Sequence, residues 1–219
     1  MLVRELQPEC FFLCSTVRTV KQECAERAMN QDDGRIAALL AIDIDRHFKQ
    51  LMLTYQHRLY GFLLRQTGNA QEAEDIAQET FIRSYYALKD YPAQKIQSLK
   101  LKPWLFKIAL NIFYNRQRER TLLQTSLDSE ETNAAQEIAD EAYEPDEEVW
   151  RSEQRQEVEQ LVTSLPERYR VVINLYYFEE LSYSEIADLL HQPVGTIKAQ
   201  VHRGIALLRK TVDTRDQVG

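Results

Sequence analysis

The distribution of charge along the chain is the feature that most restricts how it can fold. Six basic and no acidic residues lie between Tyr91 and Arg118, whereas ten acidic and no basic residues lie between Thr121 and Trp150. Between Leu189 and Val212 four basic residues again occur without an acidic one. The acidic block is polar and weakly periodic, so it lacks the apolar side chains that would compensate for ordering its backbone. It therefore predicts a flexible acidic linker between two folded units.

The linker divides the 219 residues into segments. We assign residues 29–120 to an N-terminal domain, 121–148 to the linker and 149–219 to a C-terminal domain, and we treat residues 1–28 as an N-terminal extension. Glycine and proline are scarce, at six residues each, and helix-forming residues are abundant. The predicted fold class is therefore all-α, with two small helical domains.

Composition also limits the function classes. The apolar runs are far shorter than the roughly 20 residues that span a bilayer, and the N-terminus lacks a signal-peptide pattern, so we expect a cytoplasmic protein without membrane insertion. Cys10, Cys14 and Cys24 match no zinc signature and are interpreted as small apolar residues. We predict no metal, no cofactor and no catalytic residue.

The C-terminal domain has the pattern of a helix-turn-helix. Capping-box patterns at Ser164–Glu167 and Ser182–Glu185 predict two helix starts, and a turn that contains Gly195 precedes a third helix from about Thr196 to Lys210. The predicted inner face of the third helix consists of Ile197, Val201, Gly204 and Leu208. The predicted outer face consists of Lys198, Ala199, His202, Arg203, Arg209 and Lys210. A basic outer face after a tight turn is typical of a helix that reads the DNA major groove, although a plain three-helix bundle with a solvated basic face is the alternative.

The N-terminal domain contains a helix with an unusual outer side. Asn69 with Glu72 can cap a helix that runs to about Leu88. Its outer side carries an isoleucine and a tyrosine among polar residues, namely Asp75, Gln78, Glu79, Ile82, Arg83 and Tyr86. This side suits a protein contact, or it is simply a solvated face.

A basic segment and a largely apolar helix follow. The stretch from Tyr91 to Trp104 predicts a loop, and Pro103 predicts the start of a helix from about Lys102 to Arg118. This helix is apolar nearly all round, apart from one stripe of Lys107, Asn111, Tyr114 and Arg118, flanked by Asn115. Cations, amides and rings in one stripe suit single-stranded DNA, because they meet phosphates and unstacked bases. Trp104 lies beside the stripe, but a core position is the alternative for it.

Three segments resemble, in order and spacing, conserved parts of bacterial extracytoplasmic-function sigma factors, which are promoter-reading subunits of RNA polymerase. They are GNAQEAEDIAQETFIRSYYAL, KPWLFKIALNIFYNRQRER and LPERYRVVINLYYFEELSYSEIADLLHQPVGTIKAQVHRGIALLRK. The resemblance covers roughly Phe48 to Lys210 apart from the linker. It implies binding to core RNA polymerase through the β′ clamp helices and the β flap, and to promoter DNA. It leaves open whether an anti-sigma factor binds.

The resemblance also implies roles for individual residues. The residues implied for polymerase binding are Asp75, Gln78, Glu79, Ile82 and Arg83. The residues implied at the −10 element are Lys100, Lys102, Trp104, Lys107, Asn111, Tyr114, Asn115 and Arg118. The residues implied at the −35 element are Val194, Gly195, Thr196, Lys198, Ala199, His202 and Arg203.

Some positions depart from the family pattern. Gln200 and Ile205 stand where members often have arginine, and Gly204 stands where they often have alanine. We expect weaker phosphate contacts from the first two and a cost of about 1 kcal/mol in helix stability from the third.

Two other function classes fit less well. A two-domain transcription activator would need a receiver or ligand-binding α/β domain, and nothing before Arg120 shows strand alternation. An enzyme would need a catalytic constellation, yet the four histidines form no ligand or triad spacing and no glycine-rich phosphate loop is present. We therefore predict a non-enzymatic sigma factor that recognises −35 and −10 elements and promotes DNA melting.

Overall fold

A computed structural model describes residues 33–126 and 159–216. Within these ranges every regular element is a helix. The N-terminal half contains α1 (33–42), α2 (Ile44–Thr67), α3 (Ala70–Lys89), α4 (Ala93–Gln97) and α5 (Leu101–Ser126). The C-terminal half contains α6 (159–163), α7 (Glu167–Ile173), α8 (Tyr183–Leu190) and α9 (Val194–Asp216). The described residues thus form two helical domains, as predicted. The extension 1–28 and the linker from residue 127 onward lie outside them.

Local signals explain the start of the first long helices. The Asp43 carboxylate accepts a hydrogen bond from the Arg46 backbone N–H at 3.0 Å and caps α2. Gly68 ends α2 at a positive φ of 69°, a conformation that glycine adopts without strain. The Asn69 side chain then caps α3 by accepting from the Glu72 N–H at 2.9 Å, which confirms the predicted cap.

The N-terminal core is built around α5. The two apolar stripes of α5 are buried apart from the half-buried Ile108, and Phe106 meets Phe62 of α2 edge to face with ring centroids 5.0 Å apart. Helical spacing predicts that five residues of α3 face inward. Four of them, Ile76, Thr80, Phe81 and Leu88, are buried, and the fifth, Tyr85, is half-buried. Helix α3 packs against both α2 and α5, so its polar side is left outward.

Some sequence-based boundaries were wrong. The segment from Tyr91 to Trp104 is not a continuous loop, because the short helix α4 docks Ile96 in the core. Helix α5 continues to Ser126, well beyond Arg118, so the first residues of the predicted linker are helical. The continuation lacks proline and glycine, and polar composition alone does not end a helix.

Two turn predictions were wrong as well. Ser164 does not cap α7, because its hydroxyl donates to the Leu161 carbonyl and the helix begins after Pro166 without a side-chain cap. Gly195 is not in the turn but inside α9, and the left-handed residue of the turn is His191, at φ 54°. The capping box of Ser182 and Glu185, in contrast, is confirmed.

The two halves pack against each other. The π-helical turn Asn174–Phe178 follows α7 directly, and helix α2 contacts both α7 and this turn. Helix α5 contacts α8. Buried apolar residues of both halves join into one cluster. The acidic linker is therefore not the sole connection between the halves.

Gly204 of α9 is required for close packing within the C-terminal half. A Cβ at this position would lie 2.9 Å from Ile173 Cγ1 and 3.4 Å from Tyr169 Cβ. The intrinsic cost of glycine in a helix is thus offset by the close approach of α9 to α7.

The Gly204→Ala variant is expected to be less stable than the wild type, in urea unfolding followed by circular dichroism. Overpacking costs about 1–3 kcal/mol, which exceeds or cancels the gain of about 1 kcal/mol in helix propensity. Gly195→Ala is the matched control on the same helix, because a methyl group there would meet no atom within 4 Å. Equal stability of the two variants would contradict the packing role, and the loss should shrink in an Ile173→Ala background.

Candidate nucleic-acid interface

A polar cleft runs along the outer stripe of α5. It has a volume of about 670 Å³ and is lined by Arg83, Asn111, Tyr114, Asn115, Gln117, Arg118 and Thr121. Asn111, Asn115 and Arg118 lie on its solvent side, and Tyr114 is half-buried. The cleft combines two cations with amides and a ring, which is the donor and acceptor set that unpaired bases and phosphates require.

The local fold explains why this stripe points outward. Leu105, Phe106, Ala109, Leu110, Ile112 and Phe113 are all buried, so the remaining side of α5 must face solvent. Burial raises the pKa of the Tyr114 hydroxyl to about 12, with a further contribution from the Glu167 carboxylate. Tyr114 therefore stays protonated at neutral pH and can donate a hydrogen bond.

Arg83 belongs to this cleft as much as to the outer side of α3. Its guanidinium pairs with Glu79 one turn earlier, and Arg116 of α5 donates to the other oxygen of the same carboxylate at 2.7 Å. Burial alone would raise the pKa of the Glu79 carboxyl, but the hydrogen bonds from Arg116 and Arg83 outweigh it and lower that pKa. Glu79 thus joins α3 to α5 and is only partly exposed on the outer side of α3.

The basic residues at the start of α5 are placed very differently from one another. Lys107 is half-buried, Lys100 is exposed, and Lys102 has only 5% of its surface exposed. Burial lowers the pKa of the Lys102 ammonium to about 8, and the nearby Arg58 cation adds to this effect. Lys102 does not face outward as predicted for a DNA contact. Its ammonium is buried close to Arg58 of α2 and Glu179 of the C-terminal half.

Lys100 and Lys107 each contact a residue of the C-terminal half, although Lys100 stays largely exposed to solvent. Lys100 Nζ lies 3.1 Å from Glu185 Oε1, and Lys107 Nζ lies 2.9 Å from His191 Nε2. Burial would raise the pKa of Glu185, but hydrogen bonds from Ser182 and from Lys100 lower it. Both cations therefore lie within contact distance of residues at the two ends of α8.

Trp104 packs partly against the core. It is half-buried, and its ring lies 6.3 Å from that of Tyr91, which in turn carries Lys95 above its face at 3.3 Å. The alternative of a partial core position is therefore the one the structure supports.

The outer face of α9 is open. Its predicted inner residues Ile197, Val201 and Gly204 are buried, with Leu208 half-buried. The predicted DNA-facing residues are all exposed, namely Val194, Gly195, Thr196, Lys198, Ala199, His202 and Arg203. Together with α8 and the turn at His191, this face has the shape and charge of a major-groove reader.

An apolar groove lies between α2 and α3. It has a volume of about 870 Å³ and includes Gln78 and Ile82, the latter with 58% of its surface exposed. Its α2 wall is formed by residues that sequence analysis missed, namely Phe48, Met52, Gln56, His57 and Tyr60. The spacing of four residues between Phe48, Met52, Gln56 and Tyr60 was an available signal. Asp75 is exposed on α3 outside this lining.

Metal clusters and membrane-spanning helices are two further kinds of feature that residues 33–126 and 159–216 could contain. These residues include no group of three or more histidine, cysteine, aspartate or glutamate side chains that could hold a metal ion. None of the described helices is long and apolar enough to cross a membrane. Cys10, Cys14 and Cys24 lie outside the described residues.

Comparison with known families identifies the class of protein. Residues 51–122 match the model of sigma-70 region 2, and residues 155–208 match that of sigma-70 region 4. The first match lies in the N-terminal half and the second in the C-terminal half. The chain belongs to the sigma-70 family of RNA polymerase sigma factors.

The relatives indicate the group within the family. The ECF RNA polymerase sigma factor SigW of Bacillus subtilis is 36% identical over 74% of this chain and 87% of its own length. The RNA polymerase sigma-H factor of Pseudomonas aeruginosa is 33% identical over 76% of this chain and 86% of its own length. This chain is thus an extracytoplasmic-function sigma factor, which binds core polymerase and recognises promoter DNA to start transcription.

A solved structure agrees with this placement. The sigma factor RpoE from Bartonella quintana, crystallised with the anti-sigma factor NepR, is 25% identical. The match covers 76% of this chain and 96% of that one, with a TM-score of 0.60.

Proposed function

We propose a division of labour among three surfaces of this sigma factor. The α5 cleft binds the unpaired −10 strand, the outer face of α9 reads the −35 element, and the groove between α2 and α3 binds core polymerase. The observation that carries the proposal is the α5 cleft, where Arg83 of α3 meets Asn111, Tyr114, Asn115 and Arg118 of α5. In this scheme the N-terminal half is the −10 and polymerase module, and the C-terminal half is the −35 module.

The same proposal extends to the wider role of the chain. It acts as a binding subunit and not as an enzyme, and it works in the cytoplasm where DNA and polymerase meet. An anti-sigma partner is a further candidate, because the similar RpoE was crystallised with one. The exposed apolar groove offers a surface for such a partner as well as for polymerase.

The role of Asn111 is tested by Asn111→Ala. We expect normal binding to core polymerase and to duplex −35 DNA, with reduced open-complex formation measured by permanganate reactivity. If Asn111 reads a base, a template already unpaired at −10 stays impaired and loses its sequence preference, because the amide both donates and accepts. If Asn111 assists melting, that template restores transcription.

The matched control is Gln94→Ala, which removes an exposed amide from α4 outside the cleft. Normal permanganate reactivity and normal transcription in Asn111→Ala would remove this residue from −10 recognition.

The role of Arg203 is tested by Arg203→Ala in binding assays with duplex promoters. A bidentate contact to a base edge predicts a loss of about 1–3 kcal/mol that is concentrated on promoters with an intact −35 element. Arg209→Ala, farther along the exposed side of α9, is the control. A uniform loss on all DNA sequences would make Arg203 a phosphate contact.

The polymerase surface is tested by Ile82→Asp. A charge in the groove should weaken binding to core polymerase by at least about tenfold, because apolar anchors in pockets dominate interfaces. Leu53→Asp is the matched control, since Leu53 is 57% exposed on α2 but does not line the groove. Equal affinity of the two variants, measured by fluorescence anisotropy, would exclude the groove from the interface.

A further inference from the structure

Helix α3 presents two different surfaces to solvent. Gln78 and Ile82 line the apolar groove that α3 forms with α2, whereas Arg83 lines the polar cleft that it forms with α5. The family resemblance implies polymerase binding for all three residues, but the folded chain divides them between the groove and the cleft. Arg83 therefore shares a surface with Asn111, which is the residue at the centre of the α5 stripe.

The guanidinium of Arg83 is held by a carboxylate that reaches both helices. Glu79 pairs through Oε1 with Arg83 Nη2, one turn later on α3, and its Oε2 lies 2.7 Å from Arg116 Nη2 on α5. Burial opposes ionisation of the Glu79 carboxyl, but the hydrogen bonds from Arg116 and Arg83 outweigh it and lower the pKa. The carboxylate is therefore charged at neutral pH. We call these three side chains the α3–α5 bridge.

The core fixes the backbone on both sides of the bridge. Thr80, which directly follows Glu79 on α3, is fully buried. Phe113, one turn before Arg116 on α5, is buried as well. The bridge thus stands on two packed helices, and its side chains are the parts that can still move. Arg83 is 53% exposed, and a long exposed side chain loses rotamer freedom when it binds a ligand. A contact that holds it in place beforehand reduces that loss.

The second partner of the Glu79 carboxylate makes this restraint effective. An exposed ion pair between residues four apart on one helix restrains its side chains only weakly. Arg116 fixes the carboxylate against α5, so Glu79 cannot follow Arg83 when that side chain turns away from the cleft. A guanidinium also has several N–H donors in a rigid fork. Arg83 can therefore keep its contact with Glu79 while its other donors meet a ligand.

We propose that Arg83 is a further base-contacting residue of the α5 cleft and that Glu79, anchored by Arg116, is the positioning residue that holds it there. The ligand is the edge of an unpaired guanine in the −10 strand, because the O6 and N7 acceptors of guanine match an arginine fork. The inference rests on the proposed function, since it assigns Arg83 to the strand that the cleft binds. It moves Arg83 from the polymerase surface to the DNA surface.

The test compares Arg116→Gln with Arg120→Gln in the full-length chain. Both substitutions remove one positive charge from α5, and neither arginine is among the described residues that line the cleft. Glu79, the partner of Arg116, also holds Arg83, whereas Arg120 pairs with Glu72 at 2.9 Å. Circular dichroism verifies that both variants remain folded. Fluorescence anisotropy with labelled core polymerase verifies that both assemble into holoenzyme.

Base discrimination is measured on forked DNA with a fully randomised unpaired −10 strand. Wild-type holoenzyme selects its preferred strand from this library, and each variant holoenzyme is then assayed for the ratio of its affinities for the preferred and a scrambled strand. Arg116→Gln should lower this ratio at least about fivefold, with the loss at a guanine position, because one bidentate base contact contributes at least that much. Arg120→Gln should keep the wild-type ratio.

A second variant, Glu79→Gln, separates positioning from the effect of charge alone. It removes a negative charge, so affinity for the scrambled strand should rise, whereas in Arg116→Gln it should fall. Positioning predicts that the affinity ratio falls in both variants despite these opposite changes. Glu72→Gln is the matched control, with an unchanged ratio. In an Arg83→Ala background neither bridge substitution should lower the ratio further, because both act through Arg83.

Two outcomes would overturn the inference. A wild-type ratio in Arg116→Gln and Glu79→Gln, together with a lower ratio in Asn111→Ala, would keep the cleft as the −10 site and remove Arg83 from base contact. A further loss in the Arg83→Ala background would show that the bridge acts on the cleft without Arg83. If Asn111→Ala also keeps the wild-type ratio, the proposed function of the cleft fails, and this inference fails with it.

Discussion

The burial of two apolar faces of α5 is the constraint on which much of the structure depends. Phe106 and the residues around it fill the N-terminal core, so α5 cannot rotate without exposing large apolar side chains. This fixes the one polar stripe of the helix toward solvent and sets Asn111, Asn115 and Arg118 in a row. A helix held this rigidly can present bases with a preorganised set of donors and acceptors, so little conformational entropy is lost on binding.

The contacts between the halves are of two kinds with different energetic weight. The pair of Lys100 with Glu185 is largely solvated, with 72% of the lysine side chain exposed, and such pairs contribute about 0–1 kcal/mol. The buried contact of Arg65 with Glu179 is sensitive to the loss of either partner, because water cannot replace the missing one. Burial also raises the pKa of the Glu179 carboxyl, against the effect of the nearby arginines. The exposed pair therefore contributes little to the contact between the halves, whereas the buried contact of Arg65 with Glu179 makes that contact specific.

The C-terminal half illustrates how one residue can have opposite local and tertiary effects. Glycine weakens an isolated helix, yet at position 204 it allows α9 to approach Ile173 and Tyr169 of α7. That approach fixes the position of α9 against α7. The departure from the family pattern at this position is thus coupled to the residue that it faces. Ile205 is half-buried against the hydrophobic cluster, whereas for Gln200 the structure offers no such compensation.

The helical class, the Asn69 and Ser182 caps, the buried faces of α3, α5 and α9, and the exposure of Asn111 and Arg203 could all be predicted from local sequence. These features follow from periodicity and short-range hydrogen bonds, which residues a few positions apart specify. The burial of Lys102, the link from Glu79 to α5 and the contact of Arg65 with Glu179 became visible only in the folded chain. Those partners are far apart in sequence, so no local pattern encodes their contact. Charge patterning showed that Lys102 is a cation, but whether a cation faces DNA or a buried carboxylate depends on how the helices of two domains pack.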